Sequence, residues 1–358
     1  MRRPPRTKFT LKWDIARFVK QRPWLAVAFT VIVITSLIIN ASQGPDPDKV
    51  RDIYYGGTNY LLVSDFVWWD ARIVEVPSLK SYPLPEPDTF DKTTGYLMAG
   101  VAGPRNSIIA LWQASGDLAI GQIASGSDGV VVNWFQDYKI EGPPGPPPWS
   151  IAIDPLGRTL ALVDEDFNLE LLDIATGSRR IVVKNKYVGE VAWSPDGATL
   201  AYTEESSYEI PGLAPNPLDG FEPGEDLIYT LDLQSGKSEP ILEGSDPSFS
   251  SDGSRVLAWD WSGHWCETIL GSHKVRPIHA PGTNLGRVGA LLPGDYAIYS
   301  CDIPGALPYL DVGDYLSVSI LNRRRIAIGK LGGAVNATLA NIAAPNGHER
   351  TELWSFGQ

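Results

Sequence analysis

The feature that most constrains this fold is a repeated pattern in which two short alternating strands flank a turn that ends in glycine. Three copies lie at 150–163, 190–202 and 247–259. Proline or serine opens the turn, and glycine supplies the positive φ angle that closes it. The first two turn glycines, Gly157 and Gly197, are 40 residues apart. A period of this length with paired strands is typical of a propeller blade.

The residues after each turn supply two further strands, in a hairpin that ends in Thr-Gly at Gly177 and Ser-Gly at Gly236. Weaker copies at 94–136 and 286–330 bring the total to five blades over about 94–330. In the last of these, Tyr315–Leu321 and Arg324–Gly329 are predicted to be the third and fourth strands. Strands near both chain ends are predicted to form one more blade; these are Tyr60–Val63, Trp68–Val76, Ala337–Ile342 and Glu352–Phe356.

The predicted fold is therefore all-β. It is a six-bladed β-propeller of four-stranded antiparallel blades, preceded by one transmembrane helix. Seven blades are the alternative, if the two chain ends form separate blades. Closing the ring would remove exposed sheet edges.

The segment from Ala192 to Tyr202 reads Ala-Trp-Ser-Pro-Asp-Gly-Ala-Thr-Leu-Ala-Tyr. It resembles the repeat of the TolB-like PD40 family, a relative of the WD-repeat propellers. The copy at 247–259 is a fair match, whereas the copy at 150–163 departs from the motif at its turn. The resemblance implies a propeller fold, a place in the bacterial envelope and a role in binding other proteins.

The N-terminal part of the chain predicts a membrane anchor. Residues 1–23 carry eight Lys or Arg and one acid, Asp14, whereas 24–41 carry no charge. Eighteen helical residues span roughly 27 Å, enough for a bilayer core. The basic run places the N-terminus in the cytoplasm, and a linker at 42–49 leads to a periplasmic or extracellular propeller at 50–358. The predicted location is the inner or plasma membrane, and a cleaved signal peptide is the alternative.

Charge limits the classes of partner. The net charge is −12, and because the tail at 1–23 is basic, the rest of the chain is more strongly acidic than this value alone suggests. The acidic charge of the predicted propeller would repel the phosphates of nucleic acid and favours a basic protein partner. No glycine-rich phosphate loop indicates a nucleotide, and no cofactor is expected.

Motifs for catalysis are missing from the sequence. There is no Gly-x-Ser-x-Gly elbow and no zinc-type spacing among the histidines. Asp164 and its acidic neighbours could bind calcium, but they lie at a hairpin tip. Asp196 and Asp252 precede turn glycines and are predicted to stabilise those turns. The predicted inner strands carry no carboxylates at matched positions, so the chain is not expected to be an enzyme.

Two proline-rich loops are the predicted partner-binding segments. The candidate residues are Pro143, Pro144, Pro146, Pro147, Pro148 and Trp149 in the first loop, and Tyr208, Pro211 and Phe221 in the second. Cys266 and Cys301 either form a disulfide or remain two buried thiols.

These features predict a membrane-tethered scaffold or accessory subunit that binds another envelope or membrane protein. The alternative is an extracytoplasmic enzyme, or a binder of sugars or other small ligands, that uses the propeller channel.

Overall fold

The computed structural model describes residues 31, 34–35, 59–63, 72–76, 78–90, 97–102, 108–113, 115–127, 129–141, 150–184, 186–205, 226–259, 265–272, 274–278, 285–292, 296–302, 323–330, 335–343 and 354–356. Val31, Ile34 and Thr35 are helical and exposed. The regular structure of the other described residues consists of 24 β strands.

The strands follow one another along the chain in groups. The first group is β1 (Asn59–Val63), β2 (Arg72–Val76) and β3 (Ser81–Pro83). Blade 1 is β4 (Leu97–Ala102), β5 (Ile108–Gln113), β6 (Asp117–Gly126) and β7 (Gly129–Lys139). Blade 2 is β8 (Ile151–Ile153), β9 (Thr159–Val163), β10 (Leu169–Asp173) and β11 (Arg179–Val183).

The remaining strands repeat this arrangement. Blade 3 is β12 (Val188–Trp193), β13 (Thr199–Glu204), β14 (Leu227–Asp232) and β15 (Ser238–Glu243). Blade 4 is β16 (Ser245–Phe249), β17 (Arg255–Trp259), β18 (Trp265–Ile269) and β19 (Val275–Ile278). Blade 5 is β20 (Leu285–Leu292), β21 (Tyr296–Asp302), β22 (Arg323–Lys330) and β23 (Val335–Ala343), and β24 (Trp354–Phe356) follows.

Each blade is an antiparallel sheet in which four consecutive strands lie side by side. A further sheet, the closing sheet, has the order β24-β1-β2-β3, so a C-terminal strand completes three N-terminal ones. Trp354 pairs with Val63 and Phe356 with Leu61 in this sheet. The innermost strands (β24, β4, β8, β12, β16 and β20) are neighbours in this order and complete a ring.

The core lies between the faces of adjacent sheets. The central strands β9 and β10 are almost continuously buried, because each is covered by a neighbouring sheet on both sides. Between blades 1 and 2, Trp112 and Leu118 are buried with Leu160 and Leu172. The indole N–H of Trp112 donates to the Ile140 carbonyl oxygen at 2.9 Å, which satisfies the one polar atom of this buried side chain.

The fold-class prediction needs correction. A propeller of six four-stranded blades, or of seven, is replaced by five blades of consecutive strands and one composite closing sheet. The closing sheet joins strands from the two chain ends, as predicted. The segment Ala337–Ile342, predicted for the closing blade, belongs to β23 of blade 5 instead. Arg324–Gly329 is the third strand of that blade rather than the fourth, and Tyr315–Leu321 lies outside the described residues. Most of the predicted transmembrane segment 24–41 lies outside the described residues. No helical segment among the described residues is long and apolar enough to cross a bilayer.

Candidate protein-binding face

The connections between strands differ sharply in length at the two faces of the ring. Antiparallel order places the first-to-second and third-to-fourth connections of every sheet on one face, the short-turn face. The strands there are separated by no more than five residues. Second-to-third and sheet-to-sheet connections begin and end on the opposite face, the long-loop face. They include the stretches from Glu204 to Leu227, from Lys139 to Ile151 and from Asp302 to Arg323.

A repeated contact shows that the closing sheet and blade 1 have the same orientation in the ring. Tyr138 of blade 1 packs against Gly177 in the outer hairpin of blade 2, where an added Cβ atom would lie 2.8 Å from the ring. Tyr82 of the closing sheet packs in the same way against Gly129, in the outer hairpin of blade 1. The chain therefore enters β1 at Asn59 on the short-turn face, opposite the long connections.

Several described turns on the short-turn face are fixed by internal hydrogen bonds. Ser194 Oγ accepts the N–H of Thr199 at 2.9 Å and donates to Asp196, which also accepts the N–H of Ala198 at 3.0 Å. Ser250 and Asp252 repeat this network in blade 4. These bonds lower the pKa of Asp196. In blade 4 the equivalent bonds lower the pKa of Asp252 to about 2. The prediction that both aspartates stabilise turns is confirmed.

In blade 2 one carboxylate replaces this serine–aspartate pair. Asp154 Oδ1 accepts the backbone N–H groups of Arg158 at 2.5 Å and Thr159 at 3.0 Å. The three turn glycines have nearly equal positive φ angles, 67° at Gly157, 72° at Gly197 and 70° at Gly253. The copy that departs from the sequence motif therefore has the same turn geometry.

The candidate partner-binding residues of both proline-rich loops lie outside the described residues. These are Pro143, Pro144, Pro146, Pro147, Pro148, Trp149, Tyr208, Pro211 and Phe221. The residues that flank the loops are described, and one flanking residue of each loop bonds to β12 of blade 3 or to the residue before it. Ser150 Oγ, after the first loop, accepts the N–H of Val191 at 2.9 Å. Glu205, before the second, donates its N–H to the Tyr187 carbonyl oxygen at 2.8 Å.

A buried ion pair lies where the second loop begins. Glu204 ends β13 with only 5% of its surface exposed, and its Oε1 accepts from Lys186 Nζ at 2.6 Å. The ammonium group of Lys186 also lies 5.9 Å from the centre of the Tyr229 ring. Tyr229 stacks on Tyr202 with ring centres 5.5 Å apart. No sequence pattern marks this cluster, because Lys186 and Glu204 become neighbours only when β12 and β13 pair.

The two tyrosines of this cluster are held in their neutral forms. Burial, followed by the negative charge of Glu204, raises the pKa of Tyr229. Burial raises the pKa of Tyr202 to about 12, although its hydroxyl shares a 2.8 Å hydrogen bond with Ser238. The carboxylate, the paired ammonium group and the neutral phenols together make a cluster with no net charge at the strand end that precedes the second loop.

The acidic segment that was considered for calcium is a closed hairpin turn. Asp164 Oδ1 accepts the backbone N–H groups of Asp166 at 2.9 Å and Asn168 at 2.8 Å. Asn168 also donates its amide group to both carboxylate oxygens of Asp164. Among the described residues, no group of three or more His, Cys, Asp or Glu is arranged to hold a metal ion.

The inner strands do carry carboxylates, contrary to the prediction. β12 begins at Val188 and β16 at Ser245, and each has a register shift near its start. These additional residues place Glu190 and Asp246 on inner strands near the long-loop face. Asp246 has a φ angle of 53°, a conformation that is uncommon for residues other than glycine. The bulges could not be predicted from the sequence, because they interrupt the alternating pattern that marks a strand.

The two cysteines lie in adjacent blades. Cys266 is buried in β18, and its thiol donates to the Ala258 carbonyl oxygen at 3.6 Å. Cys301 lies in β21, the second strand of the next blade, as predicted from the repeat. Whether the two form a disulfide stays a prediction.

Comparisons with known proteins show that this chain is similar to others in structure, without a match to a family model or a curated protein. A TolB structure from Acinetobacter baumannii is similar with a TM-score of 0.51 and 13% identity, over 84% of this chain and 66% of that one. A protein from Agrobacterium tumefaciens described as TolB has a TM-score of 0.49 and 16% identity, over 84% of this chain and 97% of that one. A chain of a nidogen–laminin complex has a TM-score of 0.47 and 13% identity, over 68% and 88%. This chain is therefore a β-propeller that resembles TolB in fold.

Proposed function

We propose that this protein is a non-enzymatic, membrane-tethered propeller that binds another envelope or membrane protein through its long-loop face. The observation that carries the proposal is the confinement of the long connections to one face. Connections on the other face are short, and the described turns of blades 2, 3 and 4 there satisfy polar groups internally, as expected for a structural surface. Long connections on a rigid ring are a common location for binding residues.

The charge of the described residues supports a basic partner. Glu141, Asp164, Glu165, Asp166, Glu204, Glu205 and Asp226 all lie at strand ends on the long-loop face. The described cationic residues at strand ends on the same face are fewer: Arg72, Lys139, Lys184, Lys186, Arg323 and Arg324. Of these, Lys139 and Lys186 pair with acids. An excess of negative charge speeds the approach of a positively charged protein and adds specificity.

The proposed tether is the uncharged segment 24–41, with the basic residues 1–23 in the cytoplasm and the propeller on the periplasmic or extracellular side. Because the chain enters β1 on the short-turn face, a tether there would leave the long-loop face accessible. Labelling of engineered cysteines in intact cells tests this orientation. Labelling of the tail but not of the propeller by an impermeant reagent would contradict it.

Affinity purification of the full chain in mild detergent tests partner binding. A stoichiometric partner should be recovered with the natural chain, and less of it with the pair Glu165→Gln and Asp166→Asn on the long-loop face. The matched control is Gln234→Lys with Glu239→Gln, which changes net charge equally on the short-turn face. Recovery of the chain alone, or equal losses with both variants, would contradict the proposal. One bound calcium or zinc ion per chain would favour the alternative of a channel enzyme or ligand binder.

A further inference from the structure

The outer edge of blade 1 differs from the other outer edges of the ring. Its outer strand, β7, has eleven residues, and the stretch from Gly129 to Trp134 reads Gly-Val-Val-Val-Asn-Trp. These six residues pair regularly with β6, and the first irregularity is a bulge at Phe135. The stretch is uncharged, free of proline and rich in β-branched residues, which favours strand pairing.

Most of the equivalent outer strands carry residues that discourage pairing. Pro83 lies in β3, Pro240 in β15 and Pro277 in β19, while β11 begins with two exposed arginines, Arg179 and Arg180. Proline removes a backbone donor, and charge disfavours an added strand. The strand β23 carries neither feature, but it lies close to β2 of the closing sheet. β7 is therefore the least protected outer strand whose side chains are described.

The two sides of β7 have different surroundings. Val130, Val132 and Trp134 pack inward against the closing sheet. Val131 and Phe135 point outward, with 42% and 50% of their surface exposed. No described strand pairs with the outer backbone edge of β7. An apolar outward row beside such an edge offers an added strand both hydrogen bonds and side-chain contacts.

The charge next to this edge indicates what kind of strand would fit. Asp137 is exposed beyond the bulge and accepts from Thr89 Oγ1 at 3.1 Å, which brings the exposed Asp88 near it. An uncharged row followed by acidic groups is complementary to an uncharged segment flanked by lysine or arginine. A second copy of this chain is disfavoured because each copy carries a net charge of −12.

We propose that the outer edge of β7 is a second interaction site, which binds an extended segment of a partner protein as an additional strand. The segment is apolar or uncharged in its centre and basic at its end. The site is on the rim of the ring, and it is independent of the long-loop face.

Binding of a defined probe to the full chain in detergent tests this site. The probe is a synthetic peptide of alternating valine and threonine with two lysines at each end. We expect bound peptide to slow hydrogen exchange about tenfold or more at every second backbone amide from Gly129 to Trp134, because alternate amides point to the outer edge. A peptide N-methylated at all central residues should bind at least about tenfold more weakly, since it has no backbone donors.

Matched protein variants separate this edge from other surfaces. Val131→Lys should weaken peptide binding about tenfold or more, because it adds charge to the edge and to the side facing the lysines. Ile181→Lys on β11 is the control, since Ile181 is 43% exposed on the next outer strand; it should leave binding unchanged. The Glu165→Gln and Asp166→Asn pair should also leave it unchanged, which distinguishes this site from the long-loop face.

Three results would overturn the proposal. The first is peptide binding without slowed exchange between Gly129 and Trp134. The second is equal binding of the N-methylated peptide, or equal loss with Ile181→Lys. The third is slowed exchange at β7 that depends on protein concentration and needs no peptide, which would make a second copy of the chain the occupant.

Discussion

Replacing Lys186 with methionine should destabilise the propeller through the carboxylate it leaves behind. Glu204 is buried at the end of β13, and the contact from Lys186 Nζ to its Oε1 is 2.6 Å. Its Oε2 is buried without a hydrogen-bond partner. Methionine keeps most of the length and apolar surface of lysine, so the substitution removes mainly the charge and the hydrogen bond.

The expected loss can be bounded from the surroundings of the pair. Two opposite unit charges about 4 Å apart attract by about 4 kcal/mol near a protein surface. Lys186 is 40% exposed, so solvent screens its charge in part, and we take about half of that value, about 2 kcal/mol. For a chain of this size such a loss lowers the melting temperature by about 4 °C.

Thermal unfolding followed by circular dichroism measures the effect, and a second substitution reveals its cause. Adding Glu204→Gln to Lys186→Met should restore part of the stability, because the buried charge is then gone. Lys237→Met is the control, since Lys237 and Glu239 are 2.8 Å apart but largely exposed; its melting temperature should match that of the natural chain. A double variant no more stable than Lys186→Met alone would refute the reasoning.

Three further predictions concern the hairpins and the tyrosine cluster. Gly177→Ala should cost about 1–2 kcal/mol more than Gly236→Ala in urea unfolding; both glycines have φ angles near 70°, but only Gly177 packs against Tyr138. The pKa of Tyr202 is raised to about 12 from an ordinary 10, so its contribution to stability is complete below pH 10 and is lost as the pH rises towards 12. The melting temperature of Tyr202→Phe should therefore fall less steeply between pH 10 and pH 12 than that of the natural chain. An equally steep fall in the variant would contradict the raised pKa of Tyr202. The pKa of Asp252 is lowered to about 2 from 3.8, so its contribution is present above pH 4 and lost as the pH falls towards 2; Asp252→Asn should melt earlier at pH 5 and show a smaller further decline on acidification.

Local patterns predicted much of the strand arrangement in the centre of the chain. The turn glycines at Gly157, Gly197 and Gly253 have the expected positive φ angles. Such turns could be predicted because a proline or serine and a glycine a few residues apart determine the local backbone without help from distant residues. The blade boundaries near the C-terminus were predicted less well, because β22 and β23 lack the turn motif and neighbouring strands alone determine their place in the sheet.

The candidate site, like the fold, could be predicted from the sequence only in part. The sequence identified two proline-rich loops, since composition alone marks them, and the structure puts the residues that flank both loops beside the first strand of blade 3. The sequence did not reveal the ion pair between Glu204 and Lys186. It also did not reveal that Glu190 and Asp246 lie on inner strands. An ion pair between strands depends on pairing register, and a bulge depends on the curvature of the inner strand, neither of which leaves a periodic signal.

The sequence by itself determined that this chain forms repeated antiparallel hairpins with fixed turns, because strand alternation and turn chemistry act over a few residues. Strands from both chain ends were predicted to join, but only the tertiary structure decided their register, because β24 pairs with β1 across almost the whole described chain. It also decided which connections share a face and which outer strand is left open. Those properties arise from the antiparallel order of complete sheets, and no local stretch of sequence contains that order.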